Sequence, residues 1–396
     1  MTKIKLSEEM RRARPILNKL VDAGYQAYFV GGCVRDSILN RPIHDVDVCT
    51  DAFPEEIKQV FDNTVDTGID HGVVVVHYAD TECEIATFRA DSKYDDFRRP
   101  EKVTFVRSLA ADLKRRDFTM NALAADVNGN VIDYFKAIPS LNKRVLKTVG
   151  DANIRFNEDA LRMLRAVRFQ SQLNMTLDSS LFDAIQENAS LITHVSIERV
   201  ASEFTKMMMS FNRNKGLLTF INTGLYKYVP LFADKHDELM ALTKLPEDRI
   251  YASELLWTIV CSQLSLSVDE TMKAWKQTNS TTKIVKAATR LLSKGRDPLA
   301  GDFFNVDAHA VSTAIQACRI VNSHHEGVLM ASVYHNMPIR NMRELAISGK
   351  DLINLGVAEG PAVGSMLSSL ANEVRMGNVH NRKQALLDYA KTSIAV

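Results

Sequence analysis

Apolar and polar positions divide this chain into two regimes. Up to about residue 148 the apolar residues come in short runs: Tyr28-Phe29-Val30, Val73 to Tyr78, Glu84 to Phe88, Ala122 to Val127 and Val131 to Tyr134. Short runs of β-branched and aromatic residues bounded by turn residues predict strands. Asp80-Thr81 is the expected turn between the second and third runs, and Asn128-Gly129 predicts a two-residue hairpin between the last two. From about residue 150 onward apolar residues recur at spacings of three and four, and no further strand is expected. The pattern predicts an α/β head followed by an all-α remainder.

The first apolar run leads into Gly31-Gly32-Cys33-Val34-Arg35-Asp36, and Ser37-Ile38-Leu39 continues beyond it. That order reads as strand, tight turn, helix. Two glycines let a ligand approach the backbone, the N–H groups of a helix start suit phosphate oxygens, and Arg35 can add a charged fork to the same phosphates. Asp45 and Asp47 follow, alternating by two, so on a strand both carboxylates share a face. A turn and a solvated Asp-x-Asp are ordinary features singly. Together they suggest a Mg²⁺ and nucleoside triphosphate site, with Asp45 and Asp47 as metal ligands and catalytic residues.

Two further constellations follow. Lys114 to Ala122 packs Lys114, Arg115 and Arg116 beside Asp117 and Asn121; Arg116 is the expected triphosphate contact, while Asp117 and Asn121 brace the turn. In Asn157 to Phe169, Asn157 reads as a helix N-cap with Glu158 and Asp159 in the first turn. Arg162, Arg165 and Arg168 then recur every three residues as a polar stripe. Asp159 and Arg162, three apart on one helix, put a carboxylate beside a guanidinium. Such a pair accepts from an exocyclic amine and donates to a ring nitrogen, the pattern of cytosine and adenine. Uracil and guanine present the reverse, so the pair implies a site that takes CTP and ATP and rejects UTP and GTP. The charged stretch Arg89 to Pro100 has no periodicity and reads as a loop that reorganises over the site.

Composition narrows the setting. A length of 396 residues predicts several domains, and 46% hydrophobic with 24% charged residues is globular. No apolar run approaches the roughly 18–20 residues of a membrane span, and the charged N-terminus lacks a signal-peptide pattern. Five cysteines without Cys-x-x-Cys spacing fit a reducing, cytoplasmic compartment. A net charge of +1 means that any nucleic-acid contact comes from local patches.

The three constellations in this order resemble the class II tRNA nucleotidyltransferases, the bacterial-type CCA-adding enzymes. Gly31-Gly32 to Asp47, Arg115 to Ala122 and Glu158-Asp159-Ala160-Leu161-Arg162 are similar to three of the family's motifs, and Ser196-Ile197-Glu198-Arg199 to the start of one that braces the neck. The resemblance implies an α+β fold: a polymerase-β-like nucleotidyltransferase head with a mixed sheet, then all-α neck, body and tail. The expected divisions are 1–148, 149–210, 211–300 and 301–396. It implies Mg²⁺ on Asp45 and Asp47, with Glu84 as a candidate third carboxylate. Gly32, Arg35 and Arg116 would hold the triphosphate; Asp159, Arg162, Arg165 and Arg168 would read or support the base. Implied partners are CTP, ATP and the 3′ end and elbow of tRNA, with no DNA and no membrane. In the tail, Gly360-Pro361 predicts a helix with proline in its first turn, and Lys350, Arg375, Arg382 and Lys383 are candidate phosphate contacts. His236-Asp237 lacks the further ligands of a metal phosphohydrolase. The alternatives are enzymes that add only CC or only A, a poly(A) polymerase, and a non-catalytic tRNA-binding protein.

Overall fold

The structure, a computed structural model, describes residues 2–68, 71–91, 103–246, 249–295 and 297–394. Two compact units divide the chain, Met1–His236 and Asp237–Val396.

Helix α1 (Glu8–Asp22) opens the first unit. Ser7 caps it by accepting from the Met10 N–H, and Glu8 and Glu9 complement its dipole. Met10, Ala13, Ile16, Leu17 and Leu20 form its buried stripe. Five strands follow with two helices among them: β1 (Ala27–Val30), α2 (Gly32–Ile38), β2 (Val48–Thr50), α3 (Pro54–Val60), β3 (Thr64–Gly68), β4 (Val73–Tyr78) and β5 (Thr81–Thr87). The β4–β5 turn falls at Ala79 and Asp80, both left-handed with φ 51° and 58°, one residue earlier than Asp80-Thr81. A type I′-like pair suits the twist of a tight hairpin.

Beyond them lie β6 (Arg89–Asp91), β7 (Val103–Phe105), α4 (Leu109–Lys114), β8 (Ala124–Ala125) and β9 (Val131–Ile132). β6 pairs antiparallel with β7. The remainder of the expected Arg89–Pro100 loop lies outside the described residues. The main sheet runs β3-β4-β5-β2-β1-β8-β9 and is mixed: β2 and β5 are parallel, and the other pairs antiparallel. The β8–β9 connection is not the expected two-residue hairpin. Asp126 Oδ1 accepts from the N–H groups of Asn128 and Asn130, which builds a longer loop. Gly129 (φ +81°) has no room for a Cβ, which would meet the Ile4 carbonyl oxygen at 2.4 Å.

A cluster of Val30, Cys49, Phe88, Leu109, Leu113, Ala122, Ala124 and Val149 seals α4 to the sheet. This core carries the end of α4, and with it Arg115 and Arg116, to the glycines after β1.

Four helices that bear on the site then follow: α5 (Ala137–Asn142), α6 (Ala152–Glu158), α7 (Leu161–Leu173) and, after Ser179–Asn188, a helix over Ile197–Met208. The expectation of no strand beyond residue 150 is corrected by one short ladder, in which Val145–Leu146 pairs in parallel with Thr176–Leu177. In the second unit, helices Ser253–Gln263, Asn279–Leu292, Ala308–Val321 and His324–His335 are described, with Trp257 and Trp275 rings 5.1 Å apart. A separate apolar cluster from Ile339 to Ala390 joins the last helices. Pro361 begins the expected helix, Pro361–Arg375. No helix among the described residues is long and apolar enough to cross a membrane, and all five cysteines are free and buried.

Candidate nucleotide site

The predicted strand-turn-helix forms as expected. β1 ends at Val30, Gly31 turns with φ +74° and α2 begins at Gly32. A Cβ on Gly31 would stand 3.2 Å from Nη1 of Arg116, so the absent side chain makes room for that guanidinium. Arg116 follows the end of α4 and donates to Asp112 Oδ2 at 3.1 Å, while Arg115 donates to Oδ1 of the same carboxylate at 2.8 Å. Burial works against the charge of Asp112, which is 1% exposed, yet the two guanidiniums hold its pKa below the ordinary carboxylate range.

A cavity of about 570 Å³ gathers residues from all three constellations. Gly31, Gly32, Arg35 and Asp47 come from the first; Arg115, Arg116, Asp117 and Asn121 from the second; Asp159, Leu161, Arg162, Arg165 and Phe169 from the third. Arg89 and Arg199 complete the lining. Arg35 makes a fork with Asp36 (3.0 and 2.7 Å) and donates to Asn121 Oδ1 at 2.7 Å. Asp117 accepts from Phe118 N–H, from Asn121 and from Arg165 at 2.5 Å. Burial raises its pKa, but Arg165 outweighs that and leaves it lowered. The bracing role expected of Asp117 and Asn121 therefore holds, and it reaches further: they also fix Arg165 and Arg35.

The third constellation is built differently from its sequence reading. Asn157 is not an N-cap; it lies within α6, which Asp151 caps through the Ile154 N–H. Glu158 ends α6, Asp159 follows as its C-cap, and α7 starts only at Leu161. Asp159 and Arg162 thus do not share a helix. A helix break there frees Asp159 to accept from Leu161 N–H at 3.1 Å and from Arg199 at 2.9 Å. Arg162, 7% exposed, donates to Glu158 at 2.5 Å and to the carbonyls of Arg155 and Arg115, both at 3.2 Å. The other two arginines of the stripe are paired as well: Arg165, which lines the cavity, meets Asp117, and Arg168 pairs with Glu203 at 2.6 Å. Arg168 does not line the cavity; it stands behind Phe169. The acids that receive these arginines, Asp112, Glu203 and Asp36, were not predicted, because they lie remote in sequence or look like ordinary helix charges.

Asp45 and Asp47 precede β2 rather than lying on it. Asp47 still continues the sheet's bonding, since its carbonyl accepts from Val30 N–H at 3.0 Å. A cleft of about 410 Å³ joins His44, Asp45, Asp47, Glu82 and Glu84. Solvent reaches Asp47, yet the surrounding protein raises its pKa, with Glu84 and Asp45 adding to the rise against the pull of Arg116. These oxygen donors fit a hard cation such as Mg²⁺, which takes one or two carboxylates and completes its shell with water and substrate phosphate. Among the described residues no three His, Cys, Asp or Glu side chains stand together as a ready-made metal cage, and Mg²⁺ does not need one.

In the tail, Lys383 is paired with Asp351, and Arg375 lies over Phe304 at 4.5 Å, so both have structural partners.

Asp112 and Asp117 titrate lower in the fold than in the unfolded chain. They contribute stability that is complete above about pH 4 and is lost as pH falls through their lowered values. Asp112→Asn is expected to cost about 3 kcal/mol at pH 7, because it removes the buried carboxylate that two half-buried guanidiniums share. Urea unfolding should give a smaller deficit near pH 2–3; an equal deficit at both pH values would contradict the pairing.

Comparison with known proteins agrees with this layout. Residues 27–147 match a family model described as the poly A polymerase head domain. Residues 174–235 match a probable RNA and SrmB-binding site of polymerase A, and residues 249–390 a putative tRNA nucleotidyltransferase domain 2. The chain is 41% identical over 392 residues to a CCA-adding enzyme of Ligilactobacillus salivarius, covering 98% of this chain and 97% of that one. It is 43% identical over 382 residues to the CCA-adding enzyme of Lacticaseibacillus paracasei, covering 96% of each. The crystal structure of the Bacillus stearothermophilus CCA-adding enzyme in complex with CTP superposes with a TM-score of 0.89 at 34% identity, over 98% of both chains.

Proposed function

The chain belongs to the CCA-adding enzyme family, and from that premise we propose how its own residues carry out the reaction. The protein is a tRNA nucleotidyltransferase: it adds C, C and A to the 3′ end of tRNA from CTP and ATP, releases pyrophosphate, and uses no nucleic-acid template. The observation that carries the assignment of residues is an arginine-rich cavity that unites the three constellations.

Gly31 and Gly32 open the floor of the cavity, and Arg116 and Arg35 take the triphosphate. Asp159 accepts from the exocyclic amine of cytosine or adenine. Its oxygens already receive Leu161 and Arg199, but each carboxylate oxygen has a further lone pair. Arg162 spends its Nη1 hydrogens and one Nη2 hydrogen on the protein, which leaves Nε–H and one Nη2–H for a ring nitrogen. Arg165 and Arg168 support this edge from behind through Asp117 and Glu203. The neighbouring protein groups pre-orient both readers, so little ordering cost falls on the nucleotide. Asp45 and Asp47 would hold Mg²⁺, with Glu84 beside them. That ion would ease deprotonation of the tRNA 3′-hydroxyl and neutralise charge on the departing pyrophosphate.

We assign the head to residues 1–148, the base-reading neck to 149–210, a helical body to 211–300 and contact with the tRNA elbow to the tail, 301–396. The working compartment is the cytoplasm.

Extension of a tRNA ending before its CCA, resolved at single-nucleotide length, tests the reading. Two additions with CTP and a third only with ATP are expected. Long A tracts would instead identify a poly(A) polymerase, arrest at CC with both nucleotides present a partial enzyme, and binding without extension a non-catalytic protein.

A further inference from the structure

One aromatic ring sits where the three constellations meet. Phe169, on α7, is 6% exposed and lines the nucleotide cavity. Three guanidiniums stand about it: Arg168 at 4.0 Å from its centroid, Arg165 at 5.4 Å and Arg35 at 5.5 Å. Phe118, from the second constellation, meets it edge-on at 5.7 Å and 83°. Arg35 comes from α2 in the head, whereas Arg165 and Arg168 lie on α7.

Three like charges this close repel one another. Each has its own acid, Asp36 for Arg35, Asp117 for Arg165 and Glu203 for Arg168, and the Asn121–Asp117 bridge ties Arg35 to Arg165 but does not reach Arg168. These acids sit on three separate elements. The negative face of the phenyl ring is the attraction common to all three, and guanidinium approach within about 6 Å of a ring centroid is the range in which that attraction acts. A leucine of similar burial would fill the space without offering it. Burial lowers the pKa of Arg168, and the charge of Arg165 adds to that against the pull of Glu203, whereas Asp117 keeps the pKa of Arg165 raised.

We propose that Phe169 is a positioning residue for nucleotide transfer, its ring holding the phosphate-side Arg35 and the base-side Arg165 and Arg168 in one geometry. This rests on the reading that the cavity takes the nucleotide. By linking α2 to α7, the ring makes the phosphate grip and the base-reading edge a single unit. Selection of the base then depends on the triphosphate being correctly seated.

The full chain carrying phenylalanine, 4-fluorophenylalanine or pentafluorophenylalanine at position 169 tests this. Fluorination withdraws the charge of the ring face with little change in shape. Stepwise loss of kcat/KM for CTP is expected, roughly tenfold or more at pentafluorophenylalanine. The loss should appear in KM for CTP and in the CTP-to-UTP ratio, with KM for tRNA unchanged and the Tm held within a few degrees. Phe169→Leu should fall at the weak end of the series once corrected for its Tm. A flat fluorination series, or a loss that follows Tm alone, overturns the proposal. Direct CTP binding to the unsubstituted protein separates the two readings: if it binds no CTP, the cavity assignment fails and this proposal with it, whereas normal CTP binding with a flat series sinks this proposal alone.

Discussion

Asp47→Ala is expected to lower nucleotide incorporation by about 10³-fold or more while leaving tRNA affinity within about twofold. Asp47 faces both cavities, the arginine-lined one and the acidic cleft with Asp45 and Glu84. That position, between phosphate-binding guanidiniums and a cluster of carboxylates, suits the group that joins metal to triphosphate. The effect should fall on the chemical step, because the elbow of tRNA is expected to be held by the tail. The fold should survive the change. Asp47 ties into the sheet through its carbonyl, which alanine retains, and the side chain itself is exposed. Single-turnover incorporation and filter binding of tRNA, measured on the same preparation, check both halves. Undiminished incorporation would remove Asp47 from the metal site.

Arg162→Ala should damage selection more than speed. Discrimination between CTP and UTP is expected to drop by about 10²-fold, with a smaller change in KM for correctly paired triphosphate. Removing the guanidinium takes away the donors that oppose the ring N3–H of uracil, so the wrong base no longer faces donor against donor. Loss of the ion pair with Glu158 complicates the experiment little, since Arg155 still donates to both oxygens of that carboxylate at 2.8 and 3.1 Å. Misincorporation with each triphosphate supplied singly, read at nucleotide resolution, measures the outcome. Selectivity equal to the unsubstituted protein would refute the base-reading role and leave Arg162 as a strut between α6, α4 and α7.

Both effects depend on a site whose members are legible in the sequence to different degrees. The glycine turn was visible because few residues other than glycine accept φ near +74° at that point. Asp45 and Asp47 stood out by alternation, but their place three and one residues ahead of β2 did not, since strand boundaries carry little energy. Asn157 misled for a related reason. Asparagine caps helices well, but in this chain Asp151 had already capped α6, and the next interruption came at Asp159 and Ala160. That break was hidden because Glu158, Ala160 and Leu161 are good helix formers, while the weak one, Asp159, is held by the Leu161 N–H and by Arg199, a partner remote in sequence.

By itself, then, the sequence determined the elements and the chemistry available to them: an alternating β-rich head, a helical remainder, a backbone turn open to phosphate, two adjacent aspartates and a succession of arginines. These follow from local rules, the side-chain period of each element and the φ that a turn demands. Only the tertiary structure decided what the arginines do. Spacing by three marked a polar stripe without showing its partners; Arg162 turns to Glu158 nearby, whereas Arg165 and Arg168 turn to acids far away in the chain, Asp117 and Glu203, and the ring of Phe169 gathers these two with Arg35. Charge is a property of the residue, but the direction in which a long charged side chain points depends on which partner can repay its desolvation, and that partner is brought near only by the fold.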